Sequence, residues 1–358
     1  MADFFEVDFL GVETKSSGDA IALRYSIGGG PQAIHVVDGG YIATGEKIVE
    51  HIRKHYGSTV IDNVVLTHPD RDHANGLRKV LEDCTVRRLW MHRPWNYAEQ
   101  LLPSFPTYSS ADRLRSKLRS VYAAPVELET IALEKGISIA EPFQGQMIGP
   151  FNVMAPTFDR WLKCVVDSNK TPETANESTM DSALANMWNV VKAAAAKLKA
   201  AAWGEEYFPS EGTSAENEMS VVQYAFLNNT KVLLTGDTGR DGLQEAIDYA
   251  PAVGLTLPGI TLFQVPHHGG RHNVSTEVLD QLHGPRLSAL PEETAWTAIC
   301  SSAKEDADHP RLSVKRAMLH RGAHFAATEG RDLCFGRGIS REGWSAVPQE
   351  TYPYEQED

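Results

Sequence analysis

The stretch that decides the fold is Val64-Val65-Leu66-Thr67-His68-Pro69-Asp70-Arg71-Asp72-His73-Ala74-Asn75-Gly76-Leu77. It begins as an apolar, β-branched run and then stops abruptly at a His-Pro pair. This pattern predicts a buried strand that ends at its carboxyl terminus. Because Pro69 cannot donate a hydrogen bond to a sheet and bends the chain, the residues after it are expected to form a tight loop.

Side chains that bind metal ions are dense in this loop, and four of them lie within six residues: His68, Asp70, Asp72 and His73. Imidazole and carboxylate together suit zinc, manganese or iron, and a second carboxylate favours the harder ions. The alternative interpretation is a polar loop with two solvated histidines. The density of ligand-type residues favours a metal centre at the end of the predicted strand.

The same stretch resembles the His-x-His-x-Asp-His motif of the metallo-β-lactamase-like hydrolases. Asp70 stands where most members of that family carry the second His. This variant is similar to the branch that contains the soluble domain of bacterial competence (DNA-uptake channel) proteins. The resemblance implies that His68 and Asp70 serve a first metal ion, whereas Asp72 and His73 serve a second, with Asp72 also among the catalytic candidates.

Two later strand ends extend the predicted site. The strand Lys231–Thr235 runs into Gly236-Asp237, which matches the family position of a carboxylate that bridges two ions. The strand Ile260–Val265 ends at two adjacent histidines, which we expect to point in different directions, so that only one of them binds metal. We predict His268 as a ligand of the second ion, with His267 beside it for proton transfer or phosphate contact. The reverse assignment stays open.

Substrate contacts are predicted at the rim of the cleft. Arg71 and Arg271 flank the two His-containing motifs. His92 follows the predicted strand Val86–Met91, and in α/β layers sites gather at such strand ends, although a structural histidine is the alternative. His309, followed by Pro310, matches the way the competence-like branch ends its core, and the resemblance implies a catalytic or substrate-contacting role.

One ligand departs from the family pattern. Most members supply a His just before the strand that precedes the Gly-Asp turn, but no His occurs here between His92 and His267. The matching place holds Glu216 and Asn217. The first site either uses one of these two residues, or borrows His92, or is weakly occupied. Two divalent ions are expected, Mn²⁺ or Zn²⁺ with Mg²⁺ as a third candidate, and the oxygen-rich ligand set favours Mn²⁺ or Mg²⁺.

Composition narrows the class of protein. The 47 acidic residues outnumber the 34 basic residues, giving a net charge of −13. This charge argues against broad wrapping of duplex DNA, but it leaves room for nucleic acid at a metal-lined cleft. The four cysteines show no Cys-x-x-Cys spacing, which excludes a thiolate zinc site of that type. Without a signal-like or membrane-spanning apolar run, we expect a cytoplasmic protein with no membrane partner.

The predicted fold is an αββα sandwich, in which two mixed sheets lie face to face with helices outside. We predict a single domain over residues 1–358, in which residues 97–214 contain a largely helical insertion that acts as a lid, a substrate wall or a homodimer surface. The insertion is expected to contain helices at Ala111–Tyr122 and Asp181–Ala202, with short strands at Val126–Leu133 and Met147–Met154. Residues 355–358 are expected to be disordered.

Asp38-Gly39-Gly40 is expected to close an early hairpin. Asp38 is either a turn residue or a partner that orients a ligand His.

The resemblance implies two-metal hydrolysis of a phosphodiester, with DNA or another nucleotide-based molecule as substrate. Two alternatives remain open. The first is a hydrolase of esters, lactones or amides on the same scaffold, because a fold does not fix a substrate. The second is a metal-stabilised regulatory protein without catalysis. The four candidate ligands of the second site, Asp72, His73, Asp237 and His268, count against that last alternative.

Overall fold

Two seven-stranded mixed sheets form the centre of the protein. The structure is a computed structural model that describes residues 3–171 and 198–357. The strands are β1 (Phe4–Phe9), β2 (Ala20–Ser26), β3 (Ala33–Gly39), β4 (Val60–Ile61), β5 (Asn63–Val65), β6 (Thr85–Val86), β7 (Arg88–Trp90), β8 (Ser138–Ala140), β9 (Met147–Ile148), β10 (Phe151–Ala155), β11 (Leu198–Ala200), β12 (Val222–Leu227), β13 (Thr230–Leu234), β14 (Leu262–Gln264), β15 (Trp296–Cys300), β16 (Ala323–Ala327), β17 (Leu333–Arg337) and β18 (Glu355–Glu357).

The first sheet has the order β17-β1-β2-β3-β5-β7-β8, and the second has the order β16-β15-β14-β13-β12-β10-β9. In the first sheet β3, β5, β7 and β8 run parallel, and in the second β13 to β16 run parallel. The remaining neighbours in both sheets are antiparallel. Two further pairs, β4 with β6 and β11 with β18, lie outside the main sheets.

Helices cover the outer faces of both sheets. The α-helices of the described residues are α1 (Ile42–His51), α2 (Arg71–Ala74), α3 (Leu77–Asp83), α4 (Ala98–Leu101), α5 (Ala111–Val121), α6 (Ala123–Glu134), α7 (Phe158–Asp167), α8 (Ala215–Glu218), α9 (Arg240–Tyr249), α10 (Thr276–His283) and α11 (Leu312–His320). A π-helical turn, Ile52–Tyr56, extends α1.

Successive side chains along a strand point alternately to the outer helices and to the space between the two sheets, which produces the layers of the fold. On β2, Ala20 and Ala22 face the helical cluster, whereas Ile21 and Leu23 join the cluster between the sheets. On β5, Val64 and Val65 are both fully buried but on opposite faces, as expected for a parallel strand covered on both sides. Helix, sheet, sheet and helix therefore succeed one another, and the predicted αββα sandwich is confirmed.

The site lies where parallel strands end. β3 leads into Asp38 and β5 into His68, while β13 leads into Asp237 and β14 into the His267-His268 pair. Since parallel neighbours point the same way, the carboxyl ends of each group meet at one edge of their sheet. The two edges face each other, because His68 Nε2 of the first group lies 3.6 Å from Asp237 Oδ2 of the second.

The region 97–214 contributes to both sheets as well as to the helical layer. Helices α4 to α7 lie in it, and the predicted helix at 111–122 is confirmed as α5. The same region supplies edge strands to both sheets, β8 to the first and β9 with β10 to the second. Its interpretation as an insertion, and that of the whole chain as a single domain, stay predictions.

One strand prediction and one turn prediction were wrong in this first half of the chain. Residues 126–133 form part of helix α6, in which Leu128, Glu129 and Ala132 are buried at helical spacing. The β-branched residues of this stretch suggested a strand, but the helical period prevails. Asp38-Gly39-Gly40 does not close a hairpin either, because it leads from β3 into α1.

The expectations for the predicted long helix and the tail also change. Most of Asp181–Ala202 lies outside the described residues, but its end, Leu198–Ala200, is strand β11 rather than helix. Residues 355–357, expected to be disordered, form β18 and pair with β11. In the part of the chain that the structure describes, no helix is long and apolar enough to cross a membrane.

Candidate metal centre

Four candidate ligands lie close together, with His73 and His268 each near both carboxylates. His73 Nε2 lies 3.3 Å from Asp237 Oδ2 and 3.8 Å from Asp72 Oδ2. His268 Nε2 lies 3.7 Å from Asp237 Oδ2 and 3.6 Å from Asp72 Oδ2. Two compact three-donor groups share His73: Asp72 with His73 and His268, and His68 with His73 and Asp237. The donor atoms of each group lie at distances that a divalent cation can bridge.

Hydrogen bonds on the far side of each ring fix the orientation of the histidines. His73 Nδ1 lies 2.7 Å from Asp38 Oδ2, and His268 Nδ1 lies 2.9 Å from the Ser301 carbonyl oxygen. Carboxylate and carbonyl oxygens only accept, so each Nδ1–H must donate, and in the neutral ring each Nε2 keeps its lone pair. Asp38 is therefore the orienting partner; it lies at the end of β3, where its φ is 56°.

His68 is held in the same way through Thr67. The Thr67 hydroxyl donates to Asp38 Oδ2 at 2.6 Å and accepts from His68 Nδ1 at 3.1 Å. The lone pair of His68 Nε2 consequently points towards Asp237. Asp38 thus orients two candidate ligands, His73 directly and His68 through Thr67.

Buried polar atoms without partners indicate that this arrangement suits a cation. Nε2 of His68, His73 and His268 and Oδ1 of Asp237 are buried without any hydrogen-bond partner. Leaving such groups unpaired is costly, and native proteins rarely do so away from ions or water. Imidazole nitrogens and carboxylate oxygens are the donors that Zn²⁺ and Mn²⁺ accept, so the residues present fit a divalent ion.

The pKa values show how strongly these groups act on one another. Burial alone would lower the pKa of His268, but the carboxylates of Asp237 and Asp72 raise it to about 9. Burial would raise the pKa of Asp237, yet His73 and His268 hold it well below its usual range. Positive charge between these carboxylates is thus strongly favoured, and in the absence of an ion the imidazoles supply it as protons.

Asp19 is a member of the site that sequence reasoning missed. It is buried, its Oδ2 accepts a hydrogen bond of 2.8 Å from Gln264 Nε2, and its Oδ1 lies 3.9 Å from His268 Nδ1. It forms compact three-donor groups with Asp237 and His268 and with Asp38 and His73. Burial raises the pKa of Asp19 to about 6. The available signal was Gly18-Asp19 at the start of β2, which was interpreted only as part of a strand.

A cleft of about 860 Å³ opens beside the centre. His267 lines it, and its Nε2 lies 3.7 Å from Asp237 Oδ2. His267 and His268 both have positive φ, 48° and 53°, which turns both rings towards the same carboxylate rather than in different directions. His267 belongs to none of the compact three-donor groups found among the described residues.

The cleft carries charges of both signs, because Asp70 and Glu211 also line it, and Arg311 Nη2 lies 2.8 Å from Asp308 Oδ1. Arg271 and Arg311 line it together with His309, whose Nδ1 lies 3.3 Å from Asp306 Oδ2. The Arg271 guanidinium lies 5.8 Å from the centre of the Tyr207 ring. Arg311 was missed as a site residue, although it follows the predicted His309-Pro310 directly in the sequence.

Other predicted site residues lie apart from the donor cluster. His92 packs between Phe143 and Trp161, with ring centres 4.6 and 5.0 Å away, and burial lowers its pKa to about 3. Arg71 is exposed on the first turn of α2 and is not among the residues that line the cleft. Asp70 lines the cleft but forms an ion pair with Lys170.

Comparisons with known proteins concern the fold. No family model matches this chain, and no curated protein matches it. A hydrolase in the beta-lactamase superfamily is 9% identical, over 61% of this chain and 56% of its own, with a TM-score of 0.29. A diphosphatase from the PhnP family is 11% identical, over 93% and 98%, with a TM-score of 0.35. The long form of RNase Z from yeast is 12% identical, over 83% and 37%, with a TM-score of 0.36.

Two further solved structures of similar fold are a putative metallo-beta-lactamase from Thermotoga maritima, 11% identical with a TM-score of 0.30, and the metallo-beta-lactamase SMB-1, 11% identical with a TM-score of 0.30. The chain spans 56% of the length of the first hydrolase and 37% of the length of the yeast enzyme. At such identities and TM-scores the similarity carries no argument about activity. The narrower resemblance to competence proteins has no counterpart in these matches and stays a prediction.

Proposed function

We propose that this protein is a metal-dependent hydrolase that cleaves phosphodiester bonds in DNA or in another nucleotide-based molecule. The observation that carries the proposal is the convergence of Asp72, His73, Asp237 and His268 beside a cleft that also carries arginines. Divalent ions at such a centre supply Lewis acidity, which polarises the phosphoryl oxygen and activates water. A phosphodiester is the favoured substrate because it offers an anion to the cleft arginines.

Residues of the chain would bind the substrate and orient the groups around it. Arg271 and Arg311 would bind and orient the anionic phosphate from the cleft wall. Asn273 fixes the ring of His267: its amide nitrogen donates to the Asp237 carbonyl at 2.8 Å, and its Oδ1 therefore accepts from His267 Nδ1 at 3.0 Å. Burial lowers the pKa of His267 to about 4, so the ring is neutral at neutral pH and its Nε2 carries a lone pair.

Asp306 positions His309 in a similar way. Its Oδ2 accepts from His309 Nδ1 at 3.3 Å and from the Ser17 hydroxyl at 2.7 Å. The bond to Asp306 occupies Nδ1 and leaves His309 Nε2 available to a substrate. We therefore assign His309 to contact with the phosphate or with the leaving group, as the resemblance implies.

The direct test is an activity panel with Mn²⁺, Zn²⁺ or Mg²⁺ added to metal-free protein. Its substrates are bis-p-nitrophenyl phosphate, single- and double-stranded DNA, a cyclic nucleotide and a neutral ester. Cleavage of at least one phosphodiester, and no cleavage without added ion, is expected. Hydrolysis of the ester with no phosphodiester cleaved would instead favour an ester, lactone or amide hydrolase, and no turnover at all would favour the regulatory alternative.

Arg271→Ala separates the substrate classes within one protein. A charge-assisted contact to phosphate contributes roughly 1.5–3 kcal/mol, so kcat/KM for a phosphodiester should fall about ten- to a hundredfold. Cleavage of a neutral ester should change far less, because the ester offers no anion. Arg115→Ala, in an exposed surface ion pair, serves as the control. Equal losses on both substrates would show that Arg271 acts only on the structure of the cleft.

A further inference from the structure

Lys170 lies beside the residues expected to bind the first metal ion. Its ammonium group pairs with Asp70 Oδ1, and the other oxygen of that carboxylate lies 4.0 Å from His68 Nε2. The two residues are separated by 100 positions in the sequence, so only the fold brings them together. An ammonium cation thus already neutralises the carboxylate that was predicted as a ligand.

The backbone of Lys170 is held by Glu216, a residue considered for the missing ligand. Glu216 is buried, and its Oε1 accepts hydrogen bonds from the Ser168 hydroxyl at 2.6 Å and from Lys170 N–H at 3.2 Å. The carboxylate that could have completed the first site is therefore occupied in holding the turn that carries Lys170. Because Glu216 is buried, its hydrogen bonds to Ser168 and Lys170 are shielded from water.

The other two candidates for the missing ligand are engaged elsewhere. The Asn217 side-chain amide donates to Thr213 Oγ1 at 2.7 Å and lies 3.2 Å from His267 Nδ1. His92 is stacked among aromatic rings. Among the described residues, the compact groups of three carboxylate or imidazole donors include neither Asp70 nor Glu216 nor His92.

We propose that Lys170 takes the place of the first metal ion, and that the centre binds a single ion at Asp72, His73, Asp237 and His268. The proposal rests on the metal centre of the proposed function and specifies how many ions it holds. A divalent ion beside Asp70 would be repelled by the ammonium group. Of the compact group His68, His73 and Asp237, only His68 would be its own ligand, because His73 and Asp237 also serve the retained ion.

The count of bound ions tests this directly. Metal-free protein is equilibrated with Mn²⁺, and bound Mn²⁺ per chain is measured by elemental analysis and by electron paramagnetic resonance. For the unaltered protein we expect one ion per chain with an uncoupled spectrum. For Lys170→Met, which frees Asp70, we expect a second, weaker ion and a spin-coupled signal. The control is Lys163→Met, on the exposed face of α7, which should behave like the unaltered protein.

A second pair of variants tests the proposed position of the single ion without changing Lys170. Asp70→Asn should retain the single ion, whereas Asp72→Asn should lose it. Thermal unfolding of the metal-free proteins checks that each variant is folded. Two coupled ions in the unaltered protein, an unchanged count in Lys170→Met, or loss of the ion in Asp70→Asn would each overturn the proposal. A protein with two ions that cleaves phosphodiesters would leave the proposed function intact, whereas a protein that binds no ion would overturn both.

Discussion

At the scale of single residues, Asp237 is the centre of the site. Nε2 of His68, His73, His267 and His268 all lie between 3.3 and 3.7 Å from its Oδ2. These four rings come from two strand ends in different sheets. Asp237 therefore contacts side chains that follow strands of both sheets. The net charge around it depends on whether a cation or protons lie between these rings and the nearby Asp72.

Replacing Asp72 tests the metal centre. In Asp72→Ala the ion loses one of two carboxylates, so we expect loss of the bound ion and a fall of at least a hundredfold in kcat/KM. The rise in melting temperature that added Mn²⁺ gives the unaltered protein should also disappear, because an ion stabilises only the state that binds it. Asp112→Ala, an exposed carboxylate on α5, is the control. Full metal content with full turnover in Asp72→Ala would show that the cluster is not the metal site.

His35 provides a pH prediction away from the centre. It is completely buried on β3, both ring nitrogens lack partners, and burial lowers its pKa from 6.5 to about 3. Below pH 6.5 the unfolded chain binds a proton that the folded chain refuses, so stability falls as the pH falls from 6.5 towards 3. One such group contributes about 1.4 kcal/mol per pH unit.

The measurement compares metal-free His35→Phe with the unaltered protein at pH 7 and pH 5. The loss of unfolding free energy between the two pH values should be about 2 kcal/mol smaller in His35→Phe. The test uses the change in unfolding free energy between the two pH values and not the stability at either pH, because the substitution also alters the packing against Phe151. His324→Phe, at a partly exposed position on β16, is the control. Identical pH slopes would mean that His35 is protonated in the folded protein.

At the scale of elements, the C-terminal strand stabilises a helix at the cleft. Glu357 on β18 accepts hydrogen bonds from the backbone N–H groups of Leu312 and Ser313, at 2.8 and 3.0 Å. These are the first two residues of α11, whose amino end carries unpaired donors and partial positive charge. Because Arg311 immediately precedes this helix, the tail helps to fix one wall of the cleft.

Glu357→Gln should lower the free energy of unfolding by about 1 kcal/mol, because a neutral amide replaces a carboxylate at a helix amino end. Urea unfolding of the metal-free protein measures this directly. Glu355→Gln makes the same chemical change on the same strand, but at an exposed position, and should have little effect. Equal destabilisation by both substitutions would assign the effect to the pairing of β18 with β11 rather than to the helix end.

The sequence predicted those elements whose signals are local. The strand before His68 follows from the apolar run and is found as β5. The tight loop expected after Pro69 was wrong beyond Asp70, because Arg71–Ala74 form helix α2. Contacts between distant residues could not be predicted in this way. Asp19 meets Gln264 across 245 positions, and Lys170 meets Asp70 across 100. Neither pair has a spacing or a period that a sequence pattern can reveal.

At the scale of the whole molecule, net charge and local charge oppose each other. The chain carries a net charge of −13 and should repel a polyanion at long range. The cleft nevertheless carries Arg271 and Arg311, and the candidate centre beside it suits divalent ions. Binding of a nucleic acid would therefore depend on a small number of contacts made after close approach.

This opposition predicts a shallow salt dependence for an oligonucleotide substrate. Two phosphate contacts on a single strand give a slope of about −1.4 in log K against log salt, so a rise from about 50 to 200 mM should weaken binding only about sevenfold. Screening of the repulsion by salt reduces this further. KM for a single-stranded DNA oligomer is the measurement, and bis-p-nitrophenyl phosphate, with one negative charge, is the control. A loss of about a thousandfold would require about seven contacts, and hence a broad basic surface instead of two cleft arginines.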